Sequence, residues 1–373
     1  MLSSVQLFTA GDTIELKFST DSSNNPKLYV SNSYGSTLLT AVRENELLVY
    51  TIPASFGNKS GIVNWRLTAS ETDLSGHFYI KPKAAVKSLE SYLGPPSIQA
   101  GGTDFSMLVV IPTDALDNPL EDSTVVNIKT HFRASEDASE IPTRYFLAYK
   151  NIYSPEQTGR ILISSESSGV TSKEFDINVL ASLPTDFKIS EQRNHKYADG
   201  NQIVTLSTSK ILDRYGNVIE DGTLTEFFIK NQKGAYLKTA GTTVNGVANA
   251  QIIHPDQADE WTVKAIIQGM AESDTITFNF EQIFDDFEVS FSEDNRRIAV
   301  GPLKSFMEQL VPDGFHVRLS VFKENQLIQT ISKQTLSGKV NFMLNPDILP
   351  EGNYTIKINT AGLEKVINSR QLW

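Results

Sequence analysis

An all-β chain of tandem sandwich domains is what this sequence predicts, and three observations predict it. Apolar residues alternate with polar ones over short runs. Val317, Leu319 and Val321 interleave with Arg318 and Ser320, and Phe175, Ile177 and Val179 with Asp176 and Asn178. Turn-forming residues interrupt such runs roughly every 8–12 residues, the spacing of strands that keep one face buried and one wet. The chain also repeats itself at intervals near 99 residues, about the size of one such domain.

The repeat sets the boundaries. Asp114, Asn118, Glu121, Asp122 and Thr124 reappear as Asp213, Asn217, Glu220, Asp221 and Thr223, each 99 positions on. Gly169 returns as Gly269 and Asp186-Phe187 as Asp286-Phe287, 100 positions on. A third copy matches a fourth in its second half: Gly246 with Gly338, Pro255-Asp256 with Pro346-Asp347, Trp261 to Lys264 with Tyr354 to Lys357, and Gly269 with Gly362. Starts echo as well, at Ala10-Gly11-Asp12-Thr13, Ala100-Gly101-Gly102-Thr103 and Ala198-Asp199-Gly200-Asn201. Four domains follow, over 1–84, 85–183, 184–282 and 283–373. The first is the most diverged, with closing strands expected at Asn64 to Ala69 and Gly76 to Ile80. In the fourth, Leu303, Phe306, Met307 and Leu310 stand at i, i+3, i+4 and i+7 between Pro302 and Pro312. That spacing predicts a short helical insertion over 303–310 that plugs one end of its sandwich. The connectors around Lys81 to Ala85, Ala181 to Pro184 and Glu281 to Ile283 hold no Gly/Ser tract, which predicts a stiff, elongated rod.

Composition narrows the function classes. A chain of 373 residues, 40% apolar and 21% charged, can bury several cores. A net charge of −11 argues against nucleic acid or an anionic membrane as partner, since phosphate recognition needs a basic footprint. The densest basic spot is the pair Arg296-Arg297 beside Glu293 and Asp294. With no cysteine, disulfides, zinc–thiolate sites and thiol catalysis are excluded. No apolar run approaches the roughly 18 residues of a membrane span; Met107 to Ile111 is typical of the longest. The start, Met1-Leu2-Ser3-Ser4, runs into a strand pattern without a basic segment followed by an apolar one, so no signal peptide is expected. A signal removed and replaced by Met1 is the alternative.

The motifs of the third copy carry a resemblance. Asp213, Gly216-Asn217, Asp221-Gly222-Thr223, Asn245 to Ala250 and Trp261 to Ala265 resemble the bacterial immunoglobulin-like repeats of invasin and intimin type. The match covers the third copy best, the second fairly, the fourth in part and the first weakly. The resemblance implies tandem immunoglobulin-like β-sandwich domains forming a non-enzymatic scaffold, of the kind found on bacterial surfaces and phage particles. It does not imply invasin's receptor specificity. Gly-Asn and Asp-Gly suit the turns of such a fold, and Trp261 and Tyr354 are expected at equivalent core positions.

Candidate sites are few. Asp114, Asp117, Asp213 and Asp221 stand in acidic turns that read either as turn formers or as weak calcium ligands; Glu121 and Asp122 belong to the same turns, and the spacing of a helix–loop–helix calcium loop is missing. His77, His131, His195, His254 and His316 lack any paired metal-binding spacing, so no metal and no cofactor are expected. Nucleophile-elbow and phosphate-loop motifs are absent, and no enzyme is expected. Arg144, Tyr145, Tyr149 and Tyr153 form an aromatic stretch that is either a binding edge or a strand sending alternate rings into the core. Trp373 ends the chain and either docks on a partner or folds back. The expected role is structural: a phage virion component of tail, neck or fibre. A bacterial cell-surface or periplasmic adhesin or secretion accessory is the alternative, and carbohydrate-binding accessory modules a second. The partners expected are other proteins of an assembly or a cell-surface receptor.

Overall fold

Alternating side chains set the architecture, because a strand with one apolar face must lay it against another sheet. The computed structural model describes residues 6–20, 25–68, 74–305 and 308–373. Met1 to Val5, on which the reading of the chain's start rests, lie outside the described residues. The chain divides into two compact units, Met1–Leu180 and Ala181–Trp373. Each holds two hydrophobic cores, and each core lies between the inward faces of an immunoglobulin-like sheet pair.

In the first unit, one five-stranded sheet runs in the order Leu7–Thr9, Ser75–Lys81, Gly61–Thr68, Lys27–Asn32, Gly35–Leu39. It faces a three-stranded sheet of Glu15–Ser19, Leu47–Thr51 and Val42–Glu44. Ile14, Leu16, Phe18, Leu28, Val30, Tyr50 and Trp65 fill the space between them. A single helical turn, Ala54–Gly57, follows Pro53 and buries Phe56; no apolar periodicity announces so short a turn. The second core repeats the plan. Ser97–Gln99, Phe175–Leu180, Gly159–Ser167, Val125–Phe132 and Ser135–Pro142 form one sheet, and Ala148–Tyr153, Phe105–Thr113 and Ser88–Gly94 the other. In both, the first short strand pairs in parallel with the last, Leu7 opposite Tyr79 and Ile98 opposite Val179. Successive strands thus switch between sheets, as Greek-key sandwiches require.

In the second unit, seven strands of the third core are continuous, because Tyr236–Val244 pairs with Leu224–Asn231 over most of its length and with Val247–Ile253 at its end. This strand bends from one sheet to the other. At the bend, a Cβ on Gly241 would fall 2.0 Å from the Asn249 carbonyl oxygen, so only glycine fits. Trp261 and Tyr354 are both buried, in the third and fourth cores respectively, with Trp261 Nε1 donating to Asp259 Oδ2 (3.2 Å) and the Tyr354 hydroxyl to the Pro350 carbonyl (3.0 Å). The fourth core sits between Val289–Phe291, Arg297–Val300, Val340–Met343 and the sheet of Gln326–Gln334, His316–Lys323, Gly352–Thr360, Leu363–Leu372.

The helix expected over 303–310 is not found at the described residues there. Lys304 bridges Leu310 antiparallel, and the Leu303 carbonyl accepts from the Val311 N–H at 3.0 Å. Leu303 is buried whereas Leu310 is exposed, so the two do not share a face; Phe306 and Met307 lie outside the described residues. An isolated eight-residue helix is marginal, and here the Leu303 carbonyl, which a helix would give to the N–H four residues on, accepts from Val311 instead, while the Leu303 N–H donates to the Gly338 carbonyl at 2.7 Å.

Candidate functional site

The aromatic stretch of the second core faces outward. Along Ala148–Tyr153 the inward positions are Ala148 and Ile152, both buried. Tyr149 and Tyr153 therefore point to solvent, 58% and 56% exposed. Strand pairing adds neighbours on the same face. Phe105 stands opposite Tyr153, Met107 opposite Asn151, and Val109 opposite both Tyr149 and Tyr92. The Phe105 and Tyr153 ring centroids are 5.4 Å apart. The result is a face of rings and one thioether with a single carboxylate, Glu90, which accepts from the Tyr92 hydroxyl at 3.4 Å. In its middle, Asn151 Oδ1 is buried without a hydrogen-bond partner. Tyr145 and Phe146 lie beside this strand in a turn with φ of 51° and 59°, both exposed, and the Arg144 guanidinium stacks over the Tyr145 ring. Tyr145, Phe146, Tyr149 and Tyr153 are thus all exposed, and none of these rings enters the core.

The acidic turns are clamps. Asp114 is buried and its carboxylate accepts from the N–H groups of Leu116 (2.8 Å), Lys83 (2.9 Å) and Asn118 (3.0 Å), with the Asn118 side-chain amide closing the ring. Asp213 repeats the set 99 positions on, accepting from Tyr215 (2.8 Å), Ser182 (2.9 Å), Asn217 (2.9 Å) and the Asn217 amide (2.8 Å). Lys83 and Ser182 belong to the connectors, so each clamp pins a connector to a loop of the domain it enters. Burial works to raise both carboxyls, but the converging donors outweigh it and hold them below the ordinary aspartate range. A second device recurs. Asp122, Asp221 and Asp313 each accept, through Oδ1, from the N–H of the residue 24 positions later, Phe146, Asn245 and Ser337. Asp117 holds a turn with φ of 61°. The oxygens of Asp114 and Asp213 thus face N–H donors, the wrong polarity for a cation's shell.

The structure joins two histidines that lie 59 positions apart in sequence. His254 and His195 have ring centroids 5.3 Å apart, and Asp199 lies 3.4 Å from His195 Nε2 and 3.5 Å from His254 Nδ1. Sequence reasoning missed this because the pairing arises from strand order. Composition could hold a metal there, but the tautomers are spent. The Tyr197 N–H donates to His195 Nδ1 (3.2 Å), which leaves its proton on Nε2, and His254 Nδ1 donates to the Tyr197 carbonyl (3.0 Å). Both nitrogens nearest Asp199 carry hydrogens. The cluster is a hydrogen-bond node.

Trp373 is 62% exposed although its main chain is tied down. Its carbonyl accepts from the buried Arg296, whose guanidinium also donates to the Leu349 carbonyl (2.8 Å). No helix of the described residues is long and apolar enough to cross a membrane.

No family model matches this chain, and no curated protein does. Among solved structures it is similar to FdeC, an Escherichia coli adhesin, at 13% identity over 73% of this chain and 93% of that one, with a TM-score of 0.47. It is similar to Yersinia pseudotuberculosis InvD at 14% identity over 74% and 94%, TM-score 0.40. Invasin, a bacterial integrin-binding protein, matches at 15% identity over 77% and 60%, TM-score 0.29. These structural neighbours are bacterial adhesins of the invasin and intimin type, the group that the motifs of the third copy resemble.

Proposed function

We propose that this chain is an adhesin-type interaction protein without chemistry of its own. In this reading four immunoglobulin-like domains, 1–84, 85–183, 184–282 and 283–373, carry the tyrosine face of the second domain to a partner protein. The observation that carries it is that face. Tyr92, Tyr149, Tyr153, Phe105 and Met107 are exposed together on one sheet with one carboxylate among them. Tyrosine-rich, charge-poor patches are what protein interfaces bury at their centres, and a large exposed patch of this kind is a recognition surface. The setting that fits is the outside of a bacterial cell. A virion component rests on the start of the chain, the lack of cysteine and the stiff repeat that the connectors predict, and the tyrosine face adds nothing to it.

The test is adhesion. Beads coated with the chain, or with a Tyr149→Ser/Tyr153→Ser variant, are counted on epithelial monolayers and on bacterial cells. Loss of two interface tyrosines is expected to lower retention by about tenfold or more. Equal retention of both proteins on every surface defeats the reading. Immunogold labelling of the native protein places it on the envelope or on particles. Limited proteolysis checks the domain division: fragments are expected to end near 83, 183 and 283, and cutting within Asn245 to Trp261 instead counts against it.

A further inference from the structure

His254 is buried at the end of the third core, where its ring meets Phe280 at 4.9 Å between centroids. Its Nδ1–H holds the Tyr197 carbonyl, and its Nε2 is buried with no partner. Tyr197 is the joint. Its backbone lies alongside Glu281 in a parallel bridge, with the Ala198 N–H donating to the Glu281 carbonyl (2.9 Å). Its ring packs against the fourth core, next to which Ile283 and Phe284 enter from the connector. One imidazole of the third core therefore holds a residue that seats the fourth.

We propose that His254 is the trigger of a pH-sensitive latch between the third and fourth cores, closed while its ring is neutral and released when the ring takes a proton. A second proton must go on Nε2, where no acceptor waits, and burying an N–H and a charge there is costly. The groups facing the ring are Asp199, His195 and Arg193. Burial most of all holds His254 below the ordinary histidine range, and repulsion from the Arg193 charge, and from His195 when that ring is protonated, adds to this; the Tyr197 carbonyl and Asp199 oppose it in part. Arg193 is itself fixed over the Phe278 and Phe280 rings, and Nη1 donates to the Asn279 carbonyl at 2.7 Å. The folded value is lowered, so the closed latch is fully favoured above the unfolded value of about 6.5 and weakens as pH falls below it. Opening residues 195–199 lets water reach Nε2 and unseats Tyr197. The inference is independent of the adhesin reading, since it concerns the junction and not the tyrosine face.

Hydrogen exchange on the full chain between pH 7.5 and 5.0, corrected for intrinsic rates, tests it. Amides of 195–203 and 281–287 are expected to lose protection by up to roughly tenfold per pH unit below 6.5, while Val317, Leu319 and Val321 in the fourth core keep theirs. His254→Asn retains a donor for the Tyr197 carbonyl and cannot titrate, so its junction is expected to be insensitive to pH. Unchanged protection in the wild type, or an equal response in H254N, overturns the latch. Nuclear magnetic resonance titration of the wild-type ring decides independently of any variant's folding: a midpoint at or above 6.5 overturns it too.

Discussion

Replacing Asp213 with alanine is the sharpest probe of how connectors are held. The carboxylate lies buried at the centre of three main-chain N–H groups and one side-chain amide, all at 2.8 to 2.9 Å. Alanine leaves the N–H groups of Ser182, Tyr215 and Asn217 without their acceptor, and an orphaned buried donor costs about 1–3 kcal/mol. Ser182 and Tyr215 are half-buried, so water can reach them and the lower end applies to each. The sum is about 3 kcal/mol, far outside the ±0.5 kcal/mol of an ordinary surface change. The size of the melting shift then reports what unfolds together. For about 100 residues, 1 kcal/mol moves Tm by 4–8 °C, and for 150–250 residues by 2–4 °C. A shift of about 12–24 °C means that the third domain melts alone; about 6–12 °C means that Ala181–Trp373 melts as one unit. Calorimetry gives the shift, and emission of Trp261, with Trp65 and Trp373 replaced by phenylalanine, assigns it to the third core. A loss below about 0.5 kcal/mol, or one no larger than that of Asp221→Ala, which removes a single bond to the Asn245 N–H, would refute the clamp.

Gly241→Ala is expected to cost about 3 kcal/mol, because its Cβ would meet the Asn249 carbonyl at the bend of Tyr236–Val244 and the two strands must part; urea unfolding measures it, and a near-neutral result means the bend is elsewhere. Thr243→Val keeps the shape but removes a hydroxyl that donates to the Glu220 carbonyl (2.7 Å) and accepts from the Thr223 N–H (2.9 Å), so a loss of about 1–3 kcal/mol is expected by the same assay. Stability should fall in two steps as acid is added. The first, below about 6.5, belongs to His254, and the second belongs to Asp114 and Asp213, whose lowered values mean stabilisation complete above about 3.9 and lost as pH falls through them. Urea midpoints between pH 8 and 2 show both, and Asp213→Ala should shrink the second.

Period-two alternation made the strands legible because each sheet buries one face, and the 99-residue repeat made the clamps visible as pairs before their purpose was known. Their purpose was hidden because the donors Lys83 and Ser182 sit 31 positions before Asp114 and Asp213. The phase of Ala148–Tyr153 was readable in principle: Ala148 and Ile152 alternate on one side and leave Tyr149 and Tyr153 on the other. What alternation could not supply was Phe105, Met107 and Tyr92, which reach the same face only through strand register. The expected helix at 303–310 failed for a different reason. A single i, i+3, i+4, i+7 match in eight residues is too little to outweigh the longer-range bond that the Leu303 carbonyl accepts from the Val311 N–H.

Beside that failure, one polar device recurs in three copies. The third and fourth copies align in sequence only in their second halves, yet the Asp313 carboxylate holds the Ser337 N–H just as Asp122 holds Phe146 and Asp221 holds Asn245. A threonine accompanies each: Thr143, Thr243 and Thr335 donate to the carbonyls of Glu121, Glu220 and Pro312. The same polar lock thus ties the entry of one strand to the far end of its hairpin in three copies, whatever apolar residues fill the core. The loop between Gly301 and Val311 lies immediately before the lock of the fourth copy. Leu303 of that loop seats in the fourth core, while the register of His316–Lys323 is fixed downstream of it, by Asp313 and Thr335.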